Sequence, residues 1–179
     1  PTPSGPTAPT PSGPTAPTPT PTRCPYVKCD FASLIPNVFL DQQDDVLLAK
    51  CGVQVSAKEG NIVRNINVFN SSNIKSGNAK DDPDLGSPNM KCPGGGPGRG
   101  VGGEPGSPFP NCIPLGNVLI IQDPRTNTSV ANDSPFGGCF LFEFTTPIEV
   151  LNAGILDVEE PGVSVTVSCN ARLDITLLT

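Results

Sequence analysis

The 179-residue sequence contains no histidine and no tryptophan, and it has only one tyrosine and one methionine. Without histidine, the chain lacks the base of Ser-His and Cys-His nucleophilic catalysis and the imidazole ligands of many zinc sites. Without tryptophan, it has little aromatic surface on which a sugar ring can stack. These absences argue against a nucleophilic enzyme and count against a carbohydrate-binding cleft.

Positive charge and long apolar runs are also scarce. The chain has 11 basic and 17 acidic residues, for a net charge of -6, and no cluster of Lys and Arg follows a backbone track. A nucleic-acid partner therefore has no electrostatic basis. No run of about 18 apolar residues is present, so we expect no membrane span. The lack of a signal peptide or initiator Met leads us to expect a processed chain.

What the chain does have is seven cysteines and three N-glycosylation sequons. The cysteines are scattered rather than paired as C-x-x-C, which predicts disulfides and an extracellular or cell-surface location. They are Cys24, Cys29, Cys51, Cys92, Cys112, Cys139 and Cys169. Because the number of cysteines is odd, one of them cannot pair within the chain. This cysteine is a free buried thiol, forms an intermolecular disulfide or pairs with a cysteine outside this sequence. The sequons begin at Asn70, Asn127 and Asn132, the last weakened by Pro135.

Residues 1–22, PTPSGPTAPTPSGPTAPTPTPT, form a segment that is distinct from the rest of the chain. It repeats one octad, has no charge and is rich in proline, which excludes helix and sheet ladders and favours polyproline II. Extended in that form, it would reach roughly 70 Å. One interpretation is a disordered linker. We favour a tail that is ordered by covalent sugar, by a neighbouring chain or by both.

Residues 23–179 carry the pattern of short strands separated by turns. Val163 to Cys169 alternates with a period of two, and no segment offers a long apolar helical stripe. The predicted strands are 46–49, 52–57, 61–69, 117–122, 139–145, 148–158, 163–169 and 173–178. We therefore predict an all-β fold, a two-sheet sandwich of jelly-roll type.

A Gly/Pro-rich loop at residues 80–114 interrupts these strands. Loops of this length in a compact domain are usually functional or disordered. Because Cys92 and Cys112 flank its glycine-rich part, we predict that they form a disulfide that closes and orders the loop.

Acidic residues suggest two kinds of chemistry. Asp81, Asp82 and Asp84 lie in a loop that could wrap Ca²⁺, with Asp157 and Glu159 as a second source of oxygen ligands. Solvated turn residues are the alternative interpretation. Two carboxylates could also cleave glycosides, and the candidates are Glu104, Asp157, Glu159 and Glu160. We expect no enzyme, because a sugar-stacking cleft is missing.

Two resemblances add to this reading. The runs DPDLGSPN, GGGPG, GGEPGSP, PLGNVLIIQD and GILDVEEPG resemble a β-sandwich domain of uncharacterised extracellular proteins of bacteria and algae. The resemblance covers about Cys29 to Thr179 and implies a secreted domain without implying an activity. This chain departs from that pattern in its extra cysteines.

The tail is similar to the hydroxyproline-rich modules of plant and algal cell-wall glycoproteins. That resemblance implies hydroxylated prolines and O-glycans, although Ser/Thr-Pro stretches also serve as mucin-like stalks. The implied attachment sites are Thr2, Ser4, Thr7, Pro9, Thr10, Ser12, Thr15, Pro17, Thr18, Thr20 and Thr22.

We expect, from these observations together, a structural subunit of an extracellular glycoprotein fibre whose partners are copies of itself and glycans. The alternative is a lectin-like or carbohydrate-binding module on a glycosylated stalk. An ordered tail favours the first, because a spacer does not need order.

Overall fold

The computed structural model describes residues 29–75, 81–150, 153–156, 164–168 and 172–177. In this part of the chain, strands dominate. The helical elements are a 3-10 turn at Leu40–Gln42 and α1 at Asp44–Cys51. The strands are β1 (Val53–Glu59), β2 (Ile62–Arg64), β3 (Ile66–Asn70), β4 (Asn117–Ile121), β5 (Gly138–Phe144), β6 (Ser164–Ser168) and β7 (Arg172–Leu177). The prediction of a mainly β protein is confirmed.

The strands form two antiparallel sheets. One sheet has five strands in the order β2-β1-β5-β7-β6, and the other pairs β3 with β4. In the larger sheet, β1 pairs with β5 from Val53↔Phe144 to Lys58↔Cys139. The smaller sheet runs from Ile66↔Ile121 to Asn70↔Asn117.

A single apolar cluster contains residues of both sheets. In β1, Val53, Val55 and Ala57 are buried and alternate with more exposed residues, as a strand with one covered face requires. They belong to the same cluster as Val68 of β3 and Phe140 of β5. Val53, Val55 and Ala57 therefore form the core-facing side of β1.

The smaller sheet is covered on both faces. Four consecutive residues of β3, Ile66 to Phe69, are buried. Successive side chains of a strand point to opposite faces, and Phe69 accordingly belongs to a second cluster with Leu85, Ile120 and Ala131. The loops that contribute Leu85 and Ala131 thus cover the face of this sheet that the first cluster leaves open.

The strand predicted at residues 46–49 is wrong, because α1 occupies this position. Asp44 and Asp45 lie in its first turn and Lys50 in its last, which suits the helix dipole. Gly52 ends the helix in the left-handed conformation, with φ of 62°. With only Leu47 buried, the helix is too short and too exposed to show an apolar stripe in the sequence.

Two other strand predictions need correction. The single strand predicted at 61–69 is broken at Asn65, since β2 and β3 belong to different sheets. The strand predicted at 148–158 is absent from its described residues, 148–150 and 153–156. The other predicted strands match β1, β4, β5, β6 and β7.

Two disulfides brace the described residues, Cys29–Cys51 and Cys92–Cys112. The second is the pair predicted from the sequence. Cys24, Cys169 and the tail of residues 1–22 lie outside the described residues. In the described ranges, no helix has the length and apolar character needed to cross a bilayer.

Candidate functional site

The described part of the chain has two distinct ends. At one end, which we call the anchor end, the Cys29–Cys51 disulfide joins the segment that follows the tail to the last residue of α1. Asn117 lies at the same end and donates from Nδ2 to the carbonyl oxygens of Phe31 (3.1 Å) and Leu34 (2.8 Å). These bonds fix the start of the described chain against the smaller sheet.

The opposite end lies where β1 finishes, near Glu59. A strand rises about 3.3 Å per residue, so the seven residues of β1 span about 20 Å. Here the two sheets approach closely. A Cβ placed on Gly138 would lie 2.6 Å from Ile121 Cδ1 and 3.0 Å from the Lys58 carbonyl oxygen. A side chain here would displace the Ile121 side chain and crowd the Lys58 carbonyl, so glycine suits this position.

A shallow pocket opens at this second end, which we call the pocket end. Its volume is about 150 Å³. It lies where the chain passes from the larger sheet to the smaller one, between Asn65 and Gln122, whose backbones are joined by a 3.0 Å hydrogen bond. The lining residues are Phe39, Val63, Arg64, Asn65, Gln122, Asp123, Pro124 and Thr126. The pocket combines apolar surface with hydrogen-bonding groups.

Buried amides hold the pocket floor. Asn67 donates to Gln122 Oε1 at 2.8 Å, and both side chains are buried. Gln122 donates in turn to the Val130 carbonyl oxygen at 2.9 Å and to Thr126 Oγ1. Because a buried amide is costly without partners, this network fixes the loop after β4 against β3.

Two carboxylates at the pocket, Asp123 of the lining and Glu59 beside the lining Arg64, are engaged by arginine. Asp123 is buried and accepts from Arg125 Nε at 2.9 Å and from its Nη2 at 2.8 Å. These bonds from Arg125 hold the pKa of the Asp123 carboxyl below its usual value, against the opposing effect of burial. Glu59 pairs with Arg64, with an N–O distance of 2.6 Å. The pocket therefore presents little uncompensated charge.

The pocket borders on an exposed edge strand. β2 is the outer strand of the larger sheet on this side. Its side chains Ile62 and Val63 are 55% and 71% exposed. An apolar edge strand is a common place for another chain to bind.

The Gly/Pro-rich loop is a closely packed element in its own right. Asn89 and Gly98 form a bridge, and Met90 N donates to the Gly98 carbonyl oxygen at 2.7 Å. A Cβ on Gly98 would collide with the backbone of Gly86. Glycine is needed there because two backbone segments touch.

Asparagines organise the other side of this loop. Asn111 donates from Nδ2 to the Gly86 carbonyl oxygen at 2.7 Å. The backbone carbonyl oxygen of Asn111 accepts a hydrogen bond from Asn89 N at 2.7 Å. Asn89 Nδ2 donates to the Gly100 carbonyl oxygen at 2.6 Å. The Cys92–Cys112 disulfide adjoins this network, so covalent and hydrogen bonds together close the loop.

Asp81, a predicted calcium ligand, is a structural residue. It is 2% exposed, and its two carboxylate oxygens accept backbone amides from Lys75 (2.8 Å) and Ala131 (2.7 Å). These bonds tie together segments that are 50 residues apart in sequence. Its oxygens face protein amides.

The other two predicted ligands, Asp82 and Asp84, lie close together. Burial, a hydrogen bond with the Asp84 side chain and the charges of Asp84 and Asp133 raise the pKa of Asp82 from 3.8 to about 7. Among the described residues, no group of three or more acidic or Cys side chains is arranged to hold a metal ion. Asp157 and Glu159 lie outside the described residues, so calcium binding stays a prediction.

The three sequons differ in their surroundings. Asn127 is exposed, and its Oδ1 accepts from Ser129 N at 2.9 Å and from the Ser129 hydroxyl. Asn70 is partly exposed and accepts from Ser72 N at 3.1 Å. Asn132 instead donates from Nδ2, the atom that would carry a sugar, to Asp123 at 3.0 Å. Asn127 and Asn70 are therefore better placed for glycosylation.

The carboxylates considered for glycoside cleavage are not brought together in the described residues. Glu104 forms an ion pair with Lys91 on the Gly/Pro-rich loop. Asp157, Glu159 and Glu160 lie outside the described ranges, as do the predicted O-glycosylation sites of the tail.

Comparison of the chain with protein-family models, curated proteins and solved structures found no match. The function is therefore argued from the chain itself.

Sequence reasoning missed the pocket and the Cys29–Cys51 pair. The pocket joins residues near positions 39, 64 and 123, and no spacing pattern connects them. The disulfide had a weak indication, since Cys29 and Cys51 are separated by 22 residues, much like the predicted pair.

Proposed function

We propose that this chain is a structural subunit of an extracellular glycoprotein fibre, assembled with copies of itself through its Pro/Thr-rich tail. The observation that carries the proposal is the Cys29–Cys51 disulfide. This disulfide lies between the tail and the described residues, which we call the body. It joins the segment after the tail to α1. A tail that transmits load between subunits needs such a covalent anchor, whereas a flexible spacer does not.

The body suits the same role. We infer that its two sheets form a sandwich, because one apolar cluster contains residues of both. The two disulfides of the described residues are consistent with an extracellular location. The sequons at the exposed Asn127 and the partly exposed Asn70 provide places for surface glycans.

The test is electron microscopy of the full chain, produced in a host that forms disulfides and glycosylates it. We expect fibres by negative stain. A chain that lacks residues 1–22 should keep its melting temperature, because both apolar clusters lie between Phe31 and Ile155, but it should not form fibres. Dispersed monomers from the full chain, or fibres from the truncated chain, would contradict the proposal.

A carbohydrate-binding module is the second candidate, and the pocket favours it. Phe39 offers a ring face, and Arg64 and Asn65 offer polar groups, which is the combination that sugar sites use. Titration of the full chain with a panel of soluble oligosaccharides tests this candidate. Saturable binding without fibres would support it over the structural role.

Calcium binding is a separate proposal that rests on the sequence. With the Asp81 oxygens engaged by amides, the ligands would be Asp82 and Asp84, joined by Asp157 or Glu159. Bound ion stabilises the folded state by mass action, so excess chelator should lower the melting temperature. An unchanged melting curve would count against the site.

A further inference from the structure

We propose that the pocket end is the binding site for the Pro/Thr-rich tail, residues 1–22, of a second copy of this chain. This inference rests on the proposed fibre function and names the surface through which the copies join. It follows from the chemistry of the tail, the charge of the pocket and the positions of the two ends.

The chemistry of the pocket matches that of the tail. Proline has no N–H, so a Pro-rich segment offers ring faces and carbonyl acceptors but few donors. Its receptors are aromatic and apolar surfaces with donors nearby. Here Phe39, Val63 and Pro124 supply apolar surface, and the side chains of Arg64 and Asn65 supply N–H donors.

Size and charge agree with this occupant. A volume of about 150 Å³ is small beside the roughly 300–1,000 Å³ of sites for drug-sized ligands. It suits a single ring or short side chain of a longer segment that continues along the exposed strand β2. The tail has no charged residue, and the one acidic residue of the lining, Asp123, is paired with Arg125. An uncharged segment therefore meets no unpaired carboxylate among the lining residues.

The positions of the two ends allow the tail of a second copy to reach the pocket in a head-to-tail arrangement. The chain outside the structure joins the body at Cys29, at the anchor end, whereas the pocket lies about 20 Å away along β1. A tail that leaves one subunit at its anchor end and enters the pocket end of the next makes a head-to-tail contact. Head-to-tail contacts that do not close produce filaments, which is the assembly proposed above.

The test uses two matched valines. Val63 is 71% exposed at the pocket, and Val101 is 75% exposed on the Gly/Pro-rich loop. A labelled synthetic peptide with the sequence of residues 1–22 is titrated with full chain that is dilute enough to stay monomeric, and binding is followed by fluorescence anisotropy. Val63→Asp should weaken peptide binding about tenfold, as loss of a central interface contact does. Val101→Asp should leave it within about twofold, and both variants should melt as the wild type does.

The outcomes separate this inference from the proposed function. Fibres from both the wild type and Val63→Asp would overturn the pocket assignment and leave the fibre function intact. Pocket-dependent peptide binding without fibres would support the site and overturn the fibre function. No peptide binding, equal weakening by Val63→Asp and Val101→Asp, or displacement of the peptide by soluble oligosaccharides would overturn the inference.

Discussion

The Asp81 side chain provides the sharpest test of how the loops are held on the smaller sheet. Asp81→Asn keeps the shape of the side chain but replaces one acceptor oxygen with an NH₂ group. Whichever way the amide is placed, this donor faces a backbone N–H, either that of Lys75 at 2.8 Å or that of Ala131 at 2.7 Å. One buried N–H therefore loses its acceptor.

The expected loss of stability in Asp81→Asn follows from the burial of this side chain. A hydrogen bond to a carboxylate contributes about 1.5–3 kcal/mol, and a buried donor left unpaired costs about 1–3 kcal/mol. These contributions overlap, so we expect Asp81→Asn to lower the free energy of unfolding by about 3 kcal/mol. For a chain of this size, the melting temperature should fall by about 6–12 °C.

Urea unfolding at neutral pH measures this change, with the disulfides intact. The control is Asp41→Asn, because Asp41 is exposed in the 3-10 turn, and its effect should stay within about 0.5 kcal/mol. The reasoning is refuted if Asp81→Asn unfolds at the same urea concentration as the wild type, or if the two variants lose equal stability.

Three further predictions concern covalent and ionic features. Replacing Cys92 and Cys112 by serine opens a loop with a sequence separation of 20 and should cost about 3 kcal/mol in urea unfolding; an unchanged midpoint would show that the hydrogen bonds alone close the loop. Because Arg125 lowers the pKa of Asp123 in the folded state, the unfolded chain takes up the proton first, and the stability present above about pH 4 should be lost as the pH falls. Arg125→Gln should reduce this loss, and equal acid sensitivity of the variant and the wild type would argue against the ion pair. Glycopeptide mass spectrometry should find sugar at Asn127 and none at Asn132, whose Nδ2 faces Asp123; the reverse occupancy would show that this hydrogen bond does not form in the native chain.

The sequence predicted the elements whose pattern is local. β1 is an example, since a short run rich in β-branched residues and followed by a Lys-Glu-Gly turn predicted a strand at 52–57. The helix α1 was missed because Val46 to Ala49 reads as a β-type apolar run, while the evidence for a helix lies in Asp44 and in Gly52, the residues at its ends. A short, exposed helix is specified by its ends more than by its faces.

The candidate site was largely beyond the reach of sequence reasoning. Asp81 is acidic and lies in a loop rich in Pro and Gly, which is what a calcium ligand also looks like, and only its contact with Ala131, 50 residues away, reveals its role. The pocket likewise depends on contacts such as that of Asn67 with Gln122, 55 residues apart. Long-range hydrogen bonds leave no periodicity in a sequence, so the structure was needed to find them.

The path between the two ends of the body bears on the fibre function proposed above. In the proposed fibre, load from a tail would reach α1 through the Cys29–Cys51 disulfide and would then pass through Gly52 into β1. β1 leads to the pocket end and pairs with β5 from Val53 to Lys58. Antiparallel hydrogen bonds lie perpendicular to their strands, so a pull along β1 loads these bonds together instead of opening them one after another. The tail anchor adjoins the start of β1, and the pocket borders β2, which pairs with the last residues of β1. In the proposed fibre, the Gly/Pro-rich loop would stay outside this path.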